Sequence, residues 1–148
     1  MGQGLNTKVA QIVAHEFQID FDAIKITATT TGKVPNTSAT AASSGTDLNG
    51  MAAQAAARTI KTRMTTHLAG LHECAAEDVI FSDGMVRAGA VRLSFAEAVK
   101  ACYMGRVSLS STGYYATPKI HWDSSRARGR PFYYCLLYTS DAADDVVG

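Results

Sequence analysis

A glycine-flanked glutamine near the start of the chain is the first candidate for binding chemistry. Gly2-Gln3-Gly4 stands directly before an apolar periodicity that predicts a helix. The first turn of a helix has backbone N–H groups without intrahelical acceptors, and these groups can bind an anion or the polar edge of a ring. The Gln3 amide both donates and accepts hydrogen bonds, as the edge of a heterocycle requires. Because glycine often precedes helices, this segment alone is a weak indication.

The second candidate is a run of small polar residues from Thr40 to Thr46, with the sequence TAASSGT. Small side chains let a bulky planar cofactor approach the backbone, while hydroxyl and N–H groups bind its polar rim. The same composition also suits tight packing, so this run by itself does not distinguish the two interpretations.

Other catalytic and metal-binding patterns are absent from the sequence. It contains no nucleophile elbow, zincin, P-loop or dinucleotide-binding motif. Cys74 and Cys102 are interpreted as small buried or half-buried residues, because the three cysteines are widely spaced and odd in number. The basic residues Arg126, Arg128 and Arg130 are interpreted as a solvated loop. The histidines lack ligand spacing and are expected at the surface or at helix ends: His15, His67, His72 and His121.

Composition sets broad limits on the function. The chain has 148 residues, a formal net charge of +1 and 47% hydrophobic residues, which suits a single domain with a real core. The near-neutral balance gives no electrostatic reason to expect nucleic acid or an anionic membrane as a partner. No apolar run approaches the roughly 20 residues of a membrane span. A soluble, cytoplasmic protein is therefore expected.

The first half of the chain must position both candidate segments. Apolar residues recur at helical spacing over residues 5–17 and predict an amphipathic helix. Alternation of Ile24, Ile26 and Ala28 with polar residues predicts a strand. A long polar loop over residues 27–47 follows, and long loops inside compact domains are usually functional or disordered. An alanine-rich helix is predicted from Thr46 to Leu71.

The second half predicts a hairpin, a helix and an extended segment. Asp83-Gly84 separates two short apolar runs and is a strong hairpin signal, and a further short extended piece follows at 91–93. The capping box Ser94–Glu97 opens a helix that runs to about Met104 and ends at Gly105. Alternation over 107–110 predicts a strand. This order of helices and strands indicates an α+β domain.

Residues 135–148 are expected to lie outside the domain. The segment CLLYTSDAADD at 135–145 resembles the conceptual translation of a transposase-based sequencing adapter. The expected domain is therefore 1–134, with 135–148 a read-through artefact. The alternative is a genuine terminal segment.

Four stretches, in order and at familiar distances, resemble the large, molybdenum-cofactor-binding subunit of xanthine dehydrogenases. They are MGQGLNTK (1–8), KVPNTSATAASSGTDLNGMAAQAA (33–56), VSLSSTGYYATPKIHWD (107–123) and GRPFYY (129–134). The resemblance covers essentially residues 1–134. Related aldehyde oxidases share the Gly-Gln-Gly element, whereas the VPNTSATAASSG loop (34–45) and the TGYYATPKIHWD stretch (112–123) resemble the xanthine branch.

The resemblance implies an α+β fragment of the cofactor-binding domain of a molybdenum hydroxylase. That family hydroxylates purines such as xanthine and hypoxanthine, takes oxygen from water, and passes electrons through iron–sulfur clusters to FAD and NAD. The implied cofactor here is molybdenum-molybdopterin. The [2Fe–2S] clusters, FAD and NAD would be bound by partner domains or subunits of an oligomeric enzyme.

The same resemblance implies site residues. Ala41 and Ala42 would lie beside the substrate plane, with the Ala42 backbone near molybdenum. No catalytic residue is implied within the chain, because the family's general-base glutamate belongs to a motif that this sequence lacks. The isolated chain is therefore expected to be inactive. The implied cofactor contacts are Gly2, Gln3, Gly4, Ala42, Ser43 and Ser44.

Two alternatives stay open. The chain could come from another molybdenum hydroxylase, such as an aldehyde or N-heterocycle oxidoreductase, or it could be a non-catalytic α+β interaction module. The cofactor hypothesis makes a geometric prediction: Gln3 and Ala42 lie side by side in one cleft.

Overall fold

The computed structural model describes residues 4–28, 30, 32 and 44–130, with the backbone alone for Arg130. Helix α1 spans Leu5–Phe17, as the apolar periodicity predicts, and buries Ala10, Ala14 and Phe17. A short 3-10 turn, Phe21–Ala23, follows it.

The predicted strand over residues 24–28 is wrong. These residues form no strand, and Ile26 is 41% exposed. None of the described strands pairs with them. The alternation of apolar and polar residues forms a strand only where a neighbouring strand accepts its hydrogen bonds.

The alanine-rich segment forms the central helix. It begins with a π-helical turn, Thr46–Gly50, and continues as helix α2, Met51–Leu71. The sequence predicted one continuous helix and did not indicate the π turn. Along this segment Leu68 is fully buried, whereas Leu48, Met51, Ala55 and Ile60 are half-buried.

The predicted hairpin is confirmed and is extended into a meander. Strands β1 (Val79–Ser82), β2 (Met85–Ala88) and β3 (Val91–Ser94) form an antiparallel three-stranded sheet in the order β1-β2-β3. Asp83 and Gly84 both have positive φ, 48° and 72°, as a tight hairpin turn requires. Strand β1 follows another short 3-10 turn, Ala76–Asp78.

Helix α3, Phe95–Met104, starts at the predicted capping box and ends at Gly105. The side chain of Ser94 accepts a hydrogen bond from the backbone N–H of Glu97, whose carboxylate accepts one from the backbone N–H of Ser94 at 2.8 Å. The prediction from the S-x-x-E pattern is confirmed.

A core forms where α2, the three-stranded sheet and α3 meet. Its largest fully buried side chains are Met64, Leu68, Val86 and Cys102. Phe17 of α1 joins it through an edge-on contact with Phe95, with ring centroids 5.6 Å apart. Burial raises the pKa of the Cys102 thiol, and Cys74 is half-buried, so the interpretation of both cysteines as packing residues is confirmed.

Residues 107–117, here called the strap, run along α2 in extended conformation. The predicted strand over 107–110 is therefore wrong as a paired strand, because the segment packs on a helix. Odd-numbered residues of the strap are half-buried and even-numbered ones are exposed. Arg63 of α2 donates hydrogen bonds to the carbonyls of Ser108 and Ser110, at 3.2 and 3.0 Å.

A second hairpin was not predicted. Strands β4 (His121–Asp123) and β5 (Arg128–Arg130) pair antiparallel, so the interpretation of Arg126, Arg128 and Arg130 as one solvated loop is only partly right. Arg126 lies in the turn, 3.7 Å from the carboxylate of Asp123. The sequence pattern did not indicate these two short strands, because their pairing depends on the turn that joins them.

No group of three metal-ligating side chains occurs among the described residues. Over the same part of the chain, no helix combines the length and apolarity that a membrane crossing requires.

Candidate functional site

The site begins at the N-terminus of α1. Gly4 occupies the N-cap position with φ 65° and ψ 30°, a left-handed conformation that glycine adopts without strain. Its carbonyl accepts the first helical hydrogen bond from Lys8, at 3.1 Å. Within the part of the chain that the structure describes, no side chain caps this helix, and no atom lies within 4 Å of the position that a Cβ at Gly4 would take.

The second part of the site is the beginning of the π turn. Gly45 is buried at its N-cap position, and no side-chain cap is formed there. The Ser44 carbonyl accepts a hydrogen bond from the backbone N–H of Leu48, at 2.9 Å. Ser44 therefore belongs to the first helical turn, and it is the residue through which the polar loop enters the helix.

Helix α1 and the π turn with α2 run in the same direction. Lys8 and Thr46 line one groove, Ile12 packs on Gly50, and Glu16 forms ion pairs with Arg58 and Lys61 at 3.1 and 3.8 Å. These contacts pair successive turns of α1 with successive turns of the second helix. The two N-terminal ends therefore lie at the same end of the molecule.

The contact at Gly50 is close. A Cβ at Gly50 would lie 2.7 Å from Cδ1 of Ile12. A larger residue would require the end of the Ile12 side chain to shift, so glycine lets the π turn lie close against α1.

A groove of about 340 Å³ lies between the two helices and runs along α1 from Lys8 to His15. At its Lys8 and Thr46 end, the partial positive charge of a helix N-terminus and the lysine side chain both attract negative charge. The groove is lined by Lys8, Gln11, Ile12, His15, Thr46 and Gln54.

Sequence reasoning did not single out the polar cluster behind the π turn. The carboxylate of Asp47 accepts a hydrogen bond from the Thr117 hydroxyl at 2.9 Å. The pKa of Tyr115 is raised, first by burial and then by the charge of Asp47 and a hydrogen bond to it. An acidic residue in a first helical turn is the one signal for this cluster in the sequence, but its partners lie about seventy residues away.

The structure describes only part of the predicted site. Gly4 and Ser44 lie at the two helix ends that the fold brings to one end of the molecule. The predicted contacts Gly2, Gln3, Ala41, Ala42 and Ser43 lie outside the described residues. The predicted shared cleft of Gln3 and Ala42 therefore stays a prediction.

Comparison with known proteins decides the family. The family model of the molybdopterin cofactor-binding domain matches residues 1–143. The chain belongs to this family. The α+β fold class and the cofactor-binding domain that the sequence predicted are thereby confirmed.

Individual relatives agree with the predicted resemblance. The chain is 42% identical over 134 residues to a xanthine dehydrogenase of Oryza sativa subsp. japonica, covering 90% of this chain and 8% of that protein. A xanthine dehydrogenase of Dictyostelium discoideum is 38% identical over 137 residues, covering 90% of this chain and 9% of that protein. The chain thus spans under a tenth of the length of these relatives.

A solved structure shows the same fold. Quinoline 2-oxidoreductase from Pseudomonas putida 86 superposes with a TM-score of 0.62 and 25% identity. The match covers 87% of this chain and 19% of that one.

The described part of the site fits a molybdopterin cofactor chemically. Such a cofactor has a polar pterin ring and an anionic phosphate. The two helix starts, which have no side-chain cap among the described residues, and the hydroxyl group of Thr46 supply donors for groups of this kind.

Proposed function

We propose that this chain supplies one wall of the molybdopterin pocket in a larger molybdenum hydroxylase that acts on purines. The observation that carries the proposal is the parallel placement of α1 and the π turn, which brings two glycine-preceded, uncapped helix starts to one end of the molecule. Membership of the cofactor-binding family supports it.

The proposed contacts are those that the resemblance implies. Gly2, Gln3 and Gly4 would bind the cofactor at the start of α1. Ala42, Ser43 and Ser44 would bind it at the start of the π turn, where helix-end N–H groups attract negative charge. Ala41 and Ala42 would lie beside the substrate, with the Ala42 backbone near molybdenum.

The cofactor supplies the redox chemistry when it is bound. The residues of this chain would bind and orient it, and we propose that they include no general base. The other redox groups, FAD, NAD and [2Fe–2S] clusters, would belong to partner domains or subunits of an oligomeric, cytoplasmic enzyme.

Cofactor binding is tested on the full-length protein that carries this segment. Ser44→Ala should lower the molybdenum and pterin content per folded polypeptide, because it removes a hydroxyl donor at the entrance to the π turn. Ser110→Ala, on the exposed face of the strap, is the matched control and should leave both contents unchanged. Equal molybdenum and pterin contents in the two variants would contradict the proposed site.

Purine as the substrate class is supported by the names of the relatives, which are xanthine dehydrogenases. The solved structure named as a quinoline 2-oxidoreductase supports the rival class of N-heterocycles. Turnover of xanthine, quinoline and an aromatic aldehyde by the full-length enzyme separates the two. Preference for quinoline or the aldehyde would overturn the purine assignment while leaving the cofactor site intact.

We also propose that the domain comprises 1–134 and that 135–148 is not part of it. The resemblance of 135–145 to a translated adapter supports this boundary. Sequencing the genomic reading frame through Tyr134 tests it. We expect the genomic codons after Tyr134 to differ from those that encode residues 135–148 here. A genomic frame that encodes the same residues through Gly148 would refute the boundary.

A further inference from the structure

Asp47 connects the start of the central helix to a distant segment of the chain. It lies in the first turn of the π-helical segment, directly after Thr46 and three positions beyond Ser44. Its carboxylate accepts the hydrogen bond from Thr117 at 2.9 Å, in a partly buried environment. A hydrogen bond to a charged group is stronger than one between neutral groups, and partial burial protects it from competing water.

The strap that carries Thr117 is itself held firmly on α2. Arg63 donates to two of its carbonyls, and Gly113 lies directly on the carbonyl of Ala52 and the amide of Ala56. These contacts do not involve Asp47. The strap is thus fixed on α2 independently of Asp47, and the hydrogen bond from Thr117 to Asp47 joins the π turn to it.

Helix α1 also contacts the π turn, through the close approach of Ile12 to Gly50. The turn is therefore held both by α1 and by the strap. These contacts matter because π-helical turns are rare and occur frequently at functional sites. Relaxation to a regular α-helix would change the register by one residue and rotate the preceding residues by about 100°.

We infer that Asp47, held by Thr117, is a positioning residue that fixes the π turn and thereby aims the Ser44 end of the loop toward the cofactor. This inference rests on the proposed function. Asp47 acts through the backbone of the turn and does not need to touch the cofactor.

The test uses substitutions at the partner residue in the full-length protein. Thr117→Val keeps the shape of the side chain and removes its hydroxyl, whereas Thr117→Ser keeps the hydroxyl. Thr112→Val makes the same change on the exposed face of the strap and is the matched control. Three quantities are measured: molybdenum and pterin per folded polypeptide, the rate of cofactor loss on dilution, and hydrogen exchange of the amides over residues 46–50.

We expect Thr117→Val to raise hydrogen exchange over 46–50 and the rate of cofactor loss by about tenfold each, the effect of losing one hydrogen bond to a charged group. Thr117→Ser should restore both, and Thr112→Val should match the wild type. If Thr117 had a purely structural role, Thr117→Val would lower the melting temperature, but cofactor retention would not fall in Thr117→Val and recover in Thr117→Ser.

Three results would overturn the inference. If the Thr117→Val variant retains cofactor as tightly as the wild type, the positioning role is contradicted and the proposed function is not affected. Wild-type protein that binds no molybdopterin contradicts the proposed function as well. If Thr117→Val does not fold, Asp47→Ala removes the acceptor in place of the donor, and unchanged retention in that variant is the third contrary result.

Discussion

The packing of the strap on α2 depends on a single glycine. At Gly113 the strap meets α2 so closely that an added Cβ would overlap the carbonyl oxygen of Ala52. Gly70, within α2, has open space where its Cβ would be. The same substitution should therefore have opposite effects at the two positions.

Gly113→Ala should destabilise the chain by about 1–3 kcal/mol, since overfilling a packed contact forces the backbone to shift. Gly70→Ala should be neutral or stabilise by up to about 1 kcal/mol, because alanine is the better helix former. Urea unfolding of both variants measures the difference. Equal unfolding free energies would mean that the strap does not pack on α2 as described.

Burial also decides the role of methionine. Met64 is 1% exposed at the centre of the core, whereas Met104 is 72% exposed at the end of α3. Met64→Ala should cost about 2–5 kcal/mol through lost burial and the cavity that it leaves. Met104→Ala should change the unfolding free energy by less than about 0.5 kcal/mol, and a similar loss in both variants would contradict the assigned core.

At the scale of elements, local signals fix the ends of helices. The capping box at Ser94 stabilises the start of α3 directly at the end of β3. The pKa of Glu97 is lowered by the hydrogen bond from the Ser94 side chain and then by the bond from the Ser94 backbone. The cap thus links the stability of α3 to pH.

The direction of this pH dependence follows from the lowered pKa. The contribution of Glu97 is fully present above its unfolded pKa, near 4.5, and is lost as the pH falls through the lower folded value. Glu97→Gln keeps a neutral cap and removes the titration. The unfolding free energies of wild type and Glu97→Gln should therefore converge on acidification from neutral pH. A constant difference would show that the carboxylate is not the titrating group.

At the scale of the whole molecule, the chain is a small part of a cofactor-binding architecture. It spans 8–9% of the length of the relatives named above. Large exposed apolar side chains lie on α3, the strap and the second hairpin, among them Tyr103, Met104, Tyr114 and Trp122. Surfaces of this kind often mark contacts with other parts of a protein.

The purified 148-residue chain should produce no urate from xanthine, even when molybdopterin is supplied. A missing general base alone lowers the rate by roughly 10²–10⁴. The full-length enzyme is the positive control. Urate formation by the isolated chain above the background of free cofactor would contradict the proposal that the general base lies outside this chain.

The sequence by itself determined the elements whose signals are local. The apolar period of α1, the Asp83-Gly84 turn and the Ser94–Glu97 box each act within a few residues, so their patterns predicted the structure correctly. The family resemblance was equally readable, because it depends on the order of residues along the chain.

Only the tertiary structure decided which of the extended segments pair and where the second helix changes register. The strand predicted at 24–28 and the one at 107–110 do not form, because a strand needs a partner that alternation alone does not specify. The π turn is contacted by Ile12 and Thr117, which approach it from distant parts of the chain. Contacts over such separations form only when the elements pack, and for that reason no local pattern around Asp47 indicated its hydrogen bond to Thr117.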